Sequence, residues 1–337
     1  MKSIWMRWTQ KSLPSWLVVG AILSCTPLTA DEILVPGTGV KLSQVGDDFE
    51  AEDWGYKFNG LKSSEEIDGN TRSPTGRATN GRWYEGIKRG HPDVIKRVAT
   101  PAGGLEGSNG SLLLQSLKTG VPGRPSYRMQ QEDFICNIHY RLKGAIPVHQ
   151  SPSCVVRVYL PPVDQWENRT GPHFAFRAAL DTTVTNKNAG IFGIGSKTEK
   201  ETYWPGMFIE FVSKDGTQRE EDYAHIRVRA NRRGGDYKSI PIPTTGWWTF
   251  GISVTPNGQV HYFAKPGVEN LTVEDHIATE FPYSFRAERF KTFFFNVCNG
   301  DNGRTWSTPW IIDDPTLYYP VSYTHLTLPT TRLWGCR

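Results

Sequence analysis

Residues 246 to 267, GWWTFGISVTPNGQVHYFAKPG, admit essentially one local structure. Phe250, Ile252 and Val254 alternate with Thr249, Gly251 and Ser253, Pro256-Asn257-Gly258 breaks the run, and Val260, Tyr262 and Ala264 alternate again beyond it. Successive side chains of a strand point to opposite faces, so each half has one apolar and one more polar face. Asn-Gly supplies the positive φ angles of a tight turn, and the segment reads as a β-hairpin with its apolar face buried. It is silent on chemistry.

The rest of the chain follows the same pattern. Short runs at 94–98, 111–117, 134–142, 155–160, 173–180, 207–212, 224–229 and 290–298 are rich in β-branched and aromatic residues and bounded by Gly, Pro or Ser. Helical periodicity is confined to one expected turn at 273–277, with Thr272 as its cap. Many short strands with no helices between them predict antiparallel sheets packed as a sandwich, not a parallel sheet. No linker, repeat or low-complexity block interrupts residues 45–320, which read as a single domain. Residues 59–92 are polar, Gly-rich and aperiodic, and read as a long surface loop of the kind that carries binding residues on rigid β scaffolds.

The succession of Trp247-Trp248, a strand, a Gly turn and an aromatic strand resembles the hairpin of laminin-G-like and concanavalin A-like sandwiches. With Asp47-Asp48-Phe49-Glu50 opening the fold and Asp313-Asp314-Pro315-Thr316-Leu317-Tyr318 closing it, residues 45–320 resemble secreted bacterial proteins of that superfamily. The resemblance implies an all-β, antiparallel jelly roll whose first and last strands lie side by side. It leaves the activity open.

Both ends are set apart. Lys2, Arg7 and Lys11 precede the apolar run 16–23, and small or polar residues lead to Ala30, the pattern of a secretory signal over residues 1–30. The run is too short for a transmembrane helix, and no later stretch is apolar enough. Release after Ala30 is favoured over a lipid anchor at Cys25, whose preceding Leu23 is atypical of a lipobox; the expected location is extracytoplasmic, secreted or periplasmic. Residues 31–44 read as a leader. Residues 321–337 resemble translated sequencing-adapter read-through and are expected to be non-native. Of the 38 basic residues, five lie in residues 1–30 and 321–337, where there are no acids, so 33 face 34 acidic ones and the net charge falls from +4 to −1. Overall charge therefore gives no argument for nucleic acid. Cys136, Cys154 and Cys298 remain, with Cys136 and Cys154 on runs expected to be neighbouring strands, where either a disulfide or buried thiols would fit.

Splitting the strands into faces gives the candidate site. Opposite their apolar faces the strands carry Arg157 and Tyr159, Arg177, Glu210, and His225, Arg227 and Arg229. If these strands are neighbours, the residues share one surface. Guanidinium binds carboxylates and sulfates through paired hydrogen bonds, so such a face suits an acidic extracellular polysaccharide. The face also resembles that of jelly-roll polysaccharide lyases in composition. That likeness implies His225 or Tyr159 as a base beside Arg177 or Arg227 as the neutraliser. Against this stands an ordinary solvated sheet face, on which Arg is a common cover. A glycoside hydrolase needs two carboxylates across a cleft, and Glu210 lacks its partner on the strand.

Two further sites are expected. Asp48 and Asp314, where the chain ends meet, would hold a structural calcium ion, with an ordinary turn as the alternative. Trp306, closing the polar loop 296–306, would stack on a sugar ring beside Asn299, Asp301 and Arg304; Trp83-Tyr84 and Tyr203-Trp204 are further loop candidates. Three roles stay open: a polysaccharide-binding module, a lyase or hydrolase using the same face, and a structural cell-surface protein that binds another protein.

Overall fold

The structure is a computed structural model that describes residues 33–186, 196–215 and 218–320. In chain order its strands are β1 (Val40–Lys41), β2 (Tyr56–Lys57), β3 (Arg77–Ala78), β4 (Trp83–Glu85), β5 (Val94–Ala99), β6 (Gly110–Gln115) and β7 (Gln130–Cys136). There follow β8 (Ile146–Pro147), β9 (Ser153–Leu160), β10 (Gly171–Asn186), β11 (Lys197–Tyr203), β12 (Gly206–Val212) and β13 (Tyr223–Arg229). The last are β14 (Tyr237–Pro241), β15 (Gly246–Val254), β16 (Val260–Pro266), β17 (His276–Glu280), β18 (Arg289–Asn299) and β19 (Trp310–Tyr319). They form two antiparallel sheets. The smaller runs β17-β16-β15-β9-β19-β6-β5, with β1 beside β19. The larger runs β14-β13-β12-β10-β18-β7-β4-β3-β2, with β11 on β10 and β8 on β18.

The period-two pattern places the core between the sheets. Phe174, Phe176, Phe293, Phe295 and Phe134 from the larger sheet meet Val156, Val158, Phe250, Ile252 and Ile312 from the smaller. Trp83 is fully buried and stacks on Phe134 with centroids 4.6 Å apart and planes 8° off parallel. Each such ring contributes about 1.5–3 kcal/mol of burial, so the aromatic alternation of β10 and β18 fixes which face of the larger sheet turns inward.

The hairpin forms as β15 and β16, with Val254 opposite Val260. Its turn is longer than the tight form expected: Gly258 N–H donates to Thr255 O (2.8 Å), and only Gly258, not Asn257, has positive φ (+83°). The closing segment does lie beside the opening one, as Val40–Lys41 pair with Tyr318–Tyr319 and Asp47 N–H donates to Pro315 O (3.1 Å). The fold thus begins within the segment read as a leader: Ile33 and Val35 pack against Val155, Phe263 and Leu271 on the outer face of the smaller sheet.

Other expectations are corrected. Strand 134–142 ends at Cys136, the last residue paired with β4, and Ile138–Arg141 make one helical turn closed by Leu142 N–H to Ile138 O (2.8 Å). Residues 59–92 are not all loop, since β3 and β4 extend the larger sheet, and Trp83 and Tyr84 lie on β4. Cys136 and Cys154 are on opposite sheets, not neighbouring strands, and both are buried free thiols, as is Cys298. Burial raises the Cys136 and Cys298 thiols to about 12, which keeps them protonated. The expected turn at 273–277 is a 3-10 turn, Val273–Asp275, with Thr272 N–H donating to Asp275 Oδ2 (2.7 Å).

Candidate functional site

The outer face of the larger sheet carries most of the residues singled out in the sequence. Register sets Arg177 on β10 opposite Phe294 on β18 and Gly206 on β12. Phe208 lies opposite Arg227, and Glu210 opposite His225. Arg177, Glu210, His225, Arg227 and Arg229 therefore do share one surface. Arg157 and Tyr159 do not: β9 belongs to the smaller sheet, and both point away on its far side. Arg157 is buried there, bonded to Asp314 Oδ2 (3.3 Å), Asn270 Oδ1 (3.0 Å) and Val268 O (3.1 Å), while Tyr159 packs edge-on against Trp247.

Arg177 is the floor of the site and not its exposed part. It is 4% accessible, donates to Trp204 O (2.7 and 3.2 Å) and Asn296 Oδ1 (3.2 Å), and lies between the rings of Phe208 and Phe294 (5.4 and 5.3 Å). Burial lowers its pKa to about 10, which leaves it cationic at neutral pH. Asn296 Nδ2 passes the network on by donating to Asp133 Oδ1, and Arg89 stands 3.8 Å from the same carboxylate. Burial raises Asp133 to about 6, with Arg89 and Arg177 opposing it. A row of alternating charge and amide thus crosses three central strands.

Towards β13 the pairing is tighter. Glu210 accepts from Arg227 Nε (2.8 Å) and lies 3.1 Å from His225 Nε2. Burial pushes its carboxyl up, but the bonds from His225 and Arg227 outweigh this and hold it below the ordinary value. His225 Nδ1 is buried with no hydrogen-bond partner among the described residues. Arg229 is engaged by Asp236 (3.4 Å) and Tyr283 Oη (3.2 Å). Tyr283 holds a strained φ of +60°, a conformation that costs about 1–3 kcal/mol off glycine.

Beside this row lies a cleft of about 530 Å³. Its floor is Phe294, Ile135, Ala179 and Thr292; one wall is the 86–89 loop, and the other holds Glu201, Thr202 and Trp204. The loop wall is seated by Gly86, where a Cβ would come within 2.6 Å of the Asp133 Cβ, and by Asp133 N–H donating to Gly90 O (3.0 Å). The opposite wall is seated by Gly206, where a Cβ would be 2.5 Å from Phe176 O. At the mouth Lys88 Nζ sits 4.9 Å over the Trp204 ring. Arg89 is held by Glu66 (2.8 Å) and Lys291 by Asp181 (3.6 Å). Of the residues lining the cleft, Tyr84 among them, the sequence pointed to Tyr84 and Trp204 alone as ligand candidates; Lys88 and Arg89 fall in a turn with no periodic signal, and Lys291 lies on the expected strand 290–298 but was not singled out.

The other expected sites are used structurally. Asp314 pairs with Lys41 (3.0 Å) and Arg157, and Asp48 Oδ1 accepts Glu50 N–H (3.2 Å). Among the described residues no group of three or more His, Cys, Asp or Glu side chains is placed to hold a metal ion. Asp301 is buried and accepts the N–H groups of Thr119 (3.2 Å) and Ser126 (2.8 Å), and Asn299 Nδ2 donates to Thr305 O (2.7 Å). Both therefore brace the loop, and Trp306 stands 41% exposed at its end. No helix among the described residues is long and apolar enough to cross a membrane. Cys25 and the signal segment lie outside those residues.

No family model matches the chain, and no curated protein sequence matches it significantly. Solved structures similar to it include lectin II from Ulex europaeus, at 10% identity over 80% of this chain and 99% of that one, with a TM-score of 0.35. A carbohydrate esterase of Shiga toxin-encoding bacteriophage phi24B is 8% identical over 77% and 98%, at 0.38. An alginate lyase from Pseudomonas aeruginosa is 7% identical over 68% and 87%, at 0.33. The all-β antiparallel sandwich is read from the two sheets of this chain itself.

Proposed function

We propose that this chain is an extracytoplasmic carbohydrate-binding sandwich that lays a polysaccharide in the cleft on the outer face of its larger sheet. The observation that carries the reading is the cleft itself. A half-exposed Trp204 and Tyr84 offer apolar ring faces, and Arg89, Lys291, Glu201 and Thr202 line the same walls with hydrogen-bonding groups. Sugar rings present apolar C–H faces and hydroxyl edges, and a groove of flat aromatics rimmed by polar side chains matches both. The signal-like first 30 residues supply the reason to place the protein outside the cytoplasm.

Affinity electrophoresis in gels cast with single polysaccharides tests the reading. The wild type is expected to be retarded by at least one polymer, and Trp204→Ala to lose about tenfold or more of that affinity, as buried aromatic anchors do. Equal retardation of the variant would remove the cleft from consideration. The same gels separate binding from turnover, because a cleared zone marks degradation. A lyase or hydrolase is the second reading, favoured by the unpartnered Nδ1 of His225 beside Glu210; clearing abolished by His225→Gln with retardation intact would support it.

A further inference from the structure

Resting on the cleft reading, we infer that Lys88 selects for sugars with an anionic substituent, a carboxylate or a sulfate, and that the arginine row does not. Every arginine of the row already has a fixed partner: Arg177 has Trp204 O and Asn296, Arg227 has Glu210, and Arg229 has Asp236. In the cleft Arg89 is taken by Glu66 and Lys291 by Asp181. Lys88 differs. It is exposed, lines the cleft, and its ammonium has only the Trp204 ring as a contact among the described residues.

That contact makes Lys88 a discriminator. A sugar that stacks on the indole must first displace the ammonium from the ring. A neutral sugar returns nothing for the lost cation–π contact, whereas an anionic substituent at the ring edge re-pairs with the same ammonium on its flexible four-carbon stem. Selectivity is the difference between the two exchanges. Glu201, on the facing wall, has no ion pair among the described residues and works against the anion, so the preference is set by Lys88 and moderated by Glu201.

Affinity electrophoresis with a neutral β-glucan, polygalacturonate and a sulfated galactan reads the preference directly and separates carboxylate from sulfate. The wild type is expected to bind one or both anionic polymers more tightly than the neutral one. Lys88→Ala should lower anionic affinity about three- to fivefold, the worth of a partly exposed ion pair. It should leave neutral affinity equal or slightly higher, and Lys88→Arg should retain the preference. Glu201→Gln should strengthen anionic binding, and raising the salt should erase the wild-type preference. A Lys88→Ala variant with undiminished anionic preference would overturn the inference while the cleft reading stands. Retardation by no polymer, or retardation indifferent to Trp204→Ala, would overturn both.

Discussion

His173 makes the fold acid-sensitive in a way that can be measured. It is fully buried at the start of β10, beside the rings of Trp166 (5.7 Å) and Phe211 (5.5 Å). Its Nε2 faces Arg169 O (2.7 Å) and its Nδ1 faces Thr308 Oγ1 (2.9 Å). A carbonyl only accepts, so Nε2 carries the proton and Nδ1 accepts from the hydroxyl, which is the neutral imidazole. Burial, aided by the nearby Arg169 charge, lowers the pKa to about 3 from an ordinary 6.5. Below pH 6.5 the unfolded chain takes up a proton that the native state refuses. The stability tied to His173 is therefore complete above pH 6.5 and is lost as the pH falls towards 3, at about 1.4 kcal/mol per pH unit within that window. Asp133 and Asp313, raised to about 6 chiefly by burial, have the opposite sign: their contribution is present at low pH and lost as pH rises through 6. The assay is thus a difference, urea denaturation of wild type and His173→Gln at pH 7, 6, 5 and 4. Gln can donate to Arg169 O and accept from Thr308, but does not titrate. The wild-type advantage should shrink by about 1.4 kcal/mol per unit between pH 6 and 4. A difference independent of pH would refute the buried neutral imidazole.

Two further outcomes follow from buried ions. Arg177→Ala removes the guanidinium bonded to Trp204 O and leaves Asn296 Oδ1 and Asp133 less well compensated, so it should cost about 3–5 kcal/mol of stability in urea melts; a variant of wild-type stability would show the guanidinium to be a surface group. Asp314→Ala strips Arg157, whose side chain is 5% exposed, of its carboxylate and should cost about 2–3 kcal/mol. Because Lys41 and Arg157 already occupy both Asp314 oxygens, a chelator should leave the wild-type Tm unchanged, and a lowered Tm would show a calcium site there.

The sandwich was legible because its signal is local. A period of two in β10, β12, β13 and β15 sorts the side chains of each strand into faces with no knowledge of its neighbours, and the apolar face so assigned is the one that enters the core between the sheets. Strand order is not local. Val155-Arg157-Tyr159 and Ala175-Arg177-Ala179 look alike as outward faces, yet β9 and β10 are on different sheets, so Arg157 and Tyr159 are far-side residues. Short strands were lost for a related reason: Trp83–Glu85 is three residues long, too few for alternation to register, although Trp83 is among the largest buried side chains. The Lys88–Trp204 contact joins residues 116 positions apart through two loops, and no periodicity marks either.

The corrected geometry separates two tasks that the sequence had merged. Polar groups fixed by several partners, as in Arg177, Asn296 and Asp133, cannot turn to a ligand without leaving buried polar groups unpaired, which costs about 1–3 kcal/mol each. Their value lies in holding both walls at once, since Arg177 grips the backbone of Trp204 while Asp133 receives Gly86 and Gly90 on the opposite side. Recognition then falls to rim side chains with unspent bonding capacity, held on a preorganised floor. Among the described residues of this cleft those include the indole of Trp204, the ammonium of Lys88 and the carboxylate of Glu201. Changes to the row should therefore appear first as lost stability, and changes to the rim as altered ligand preference at constant stability.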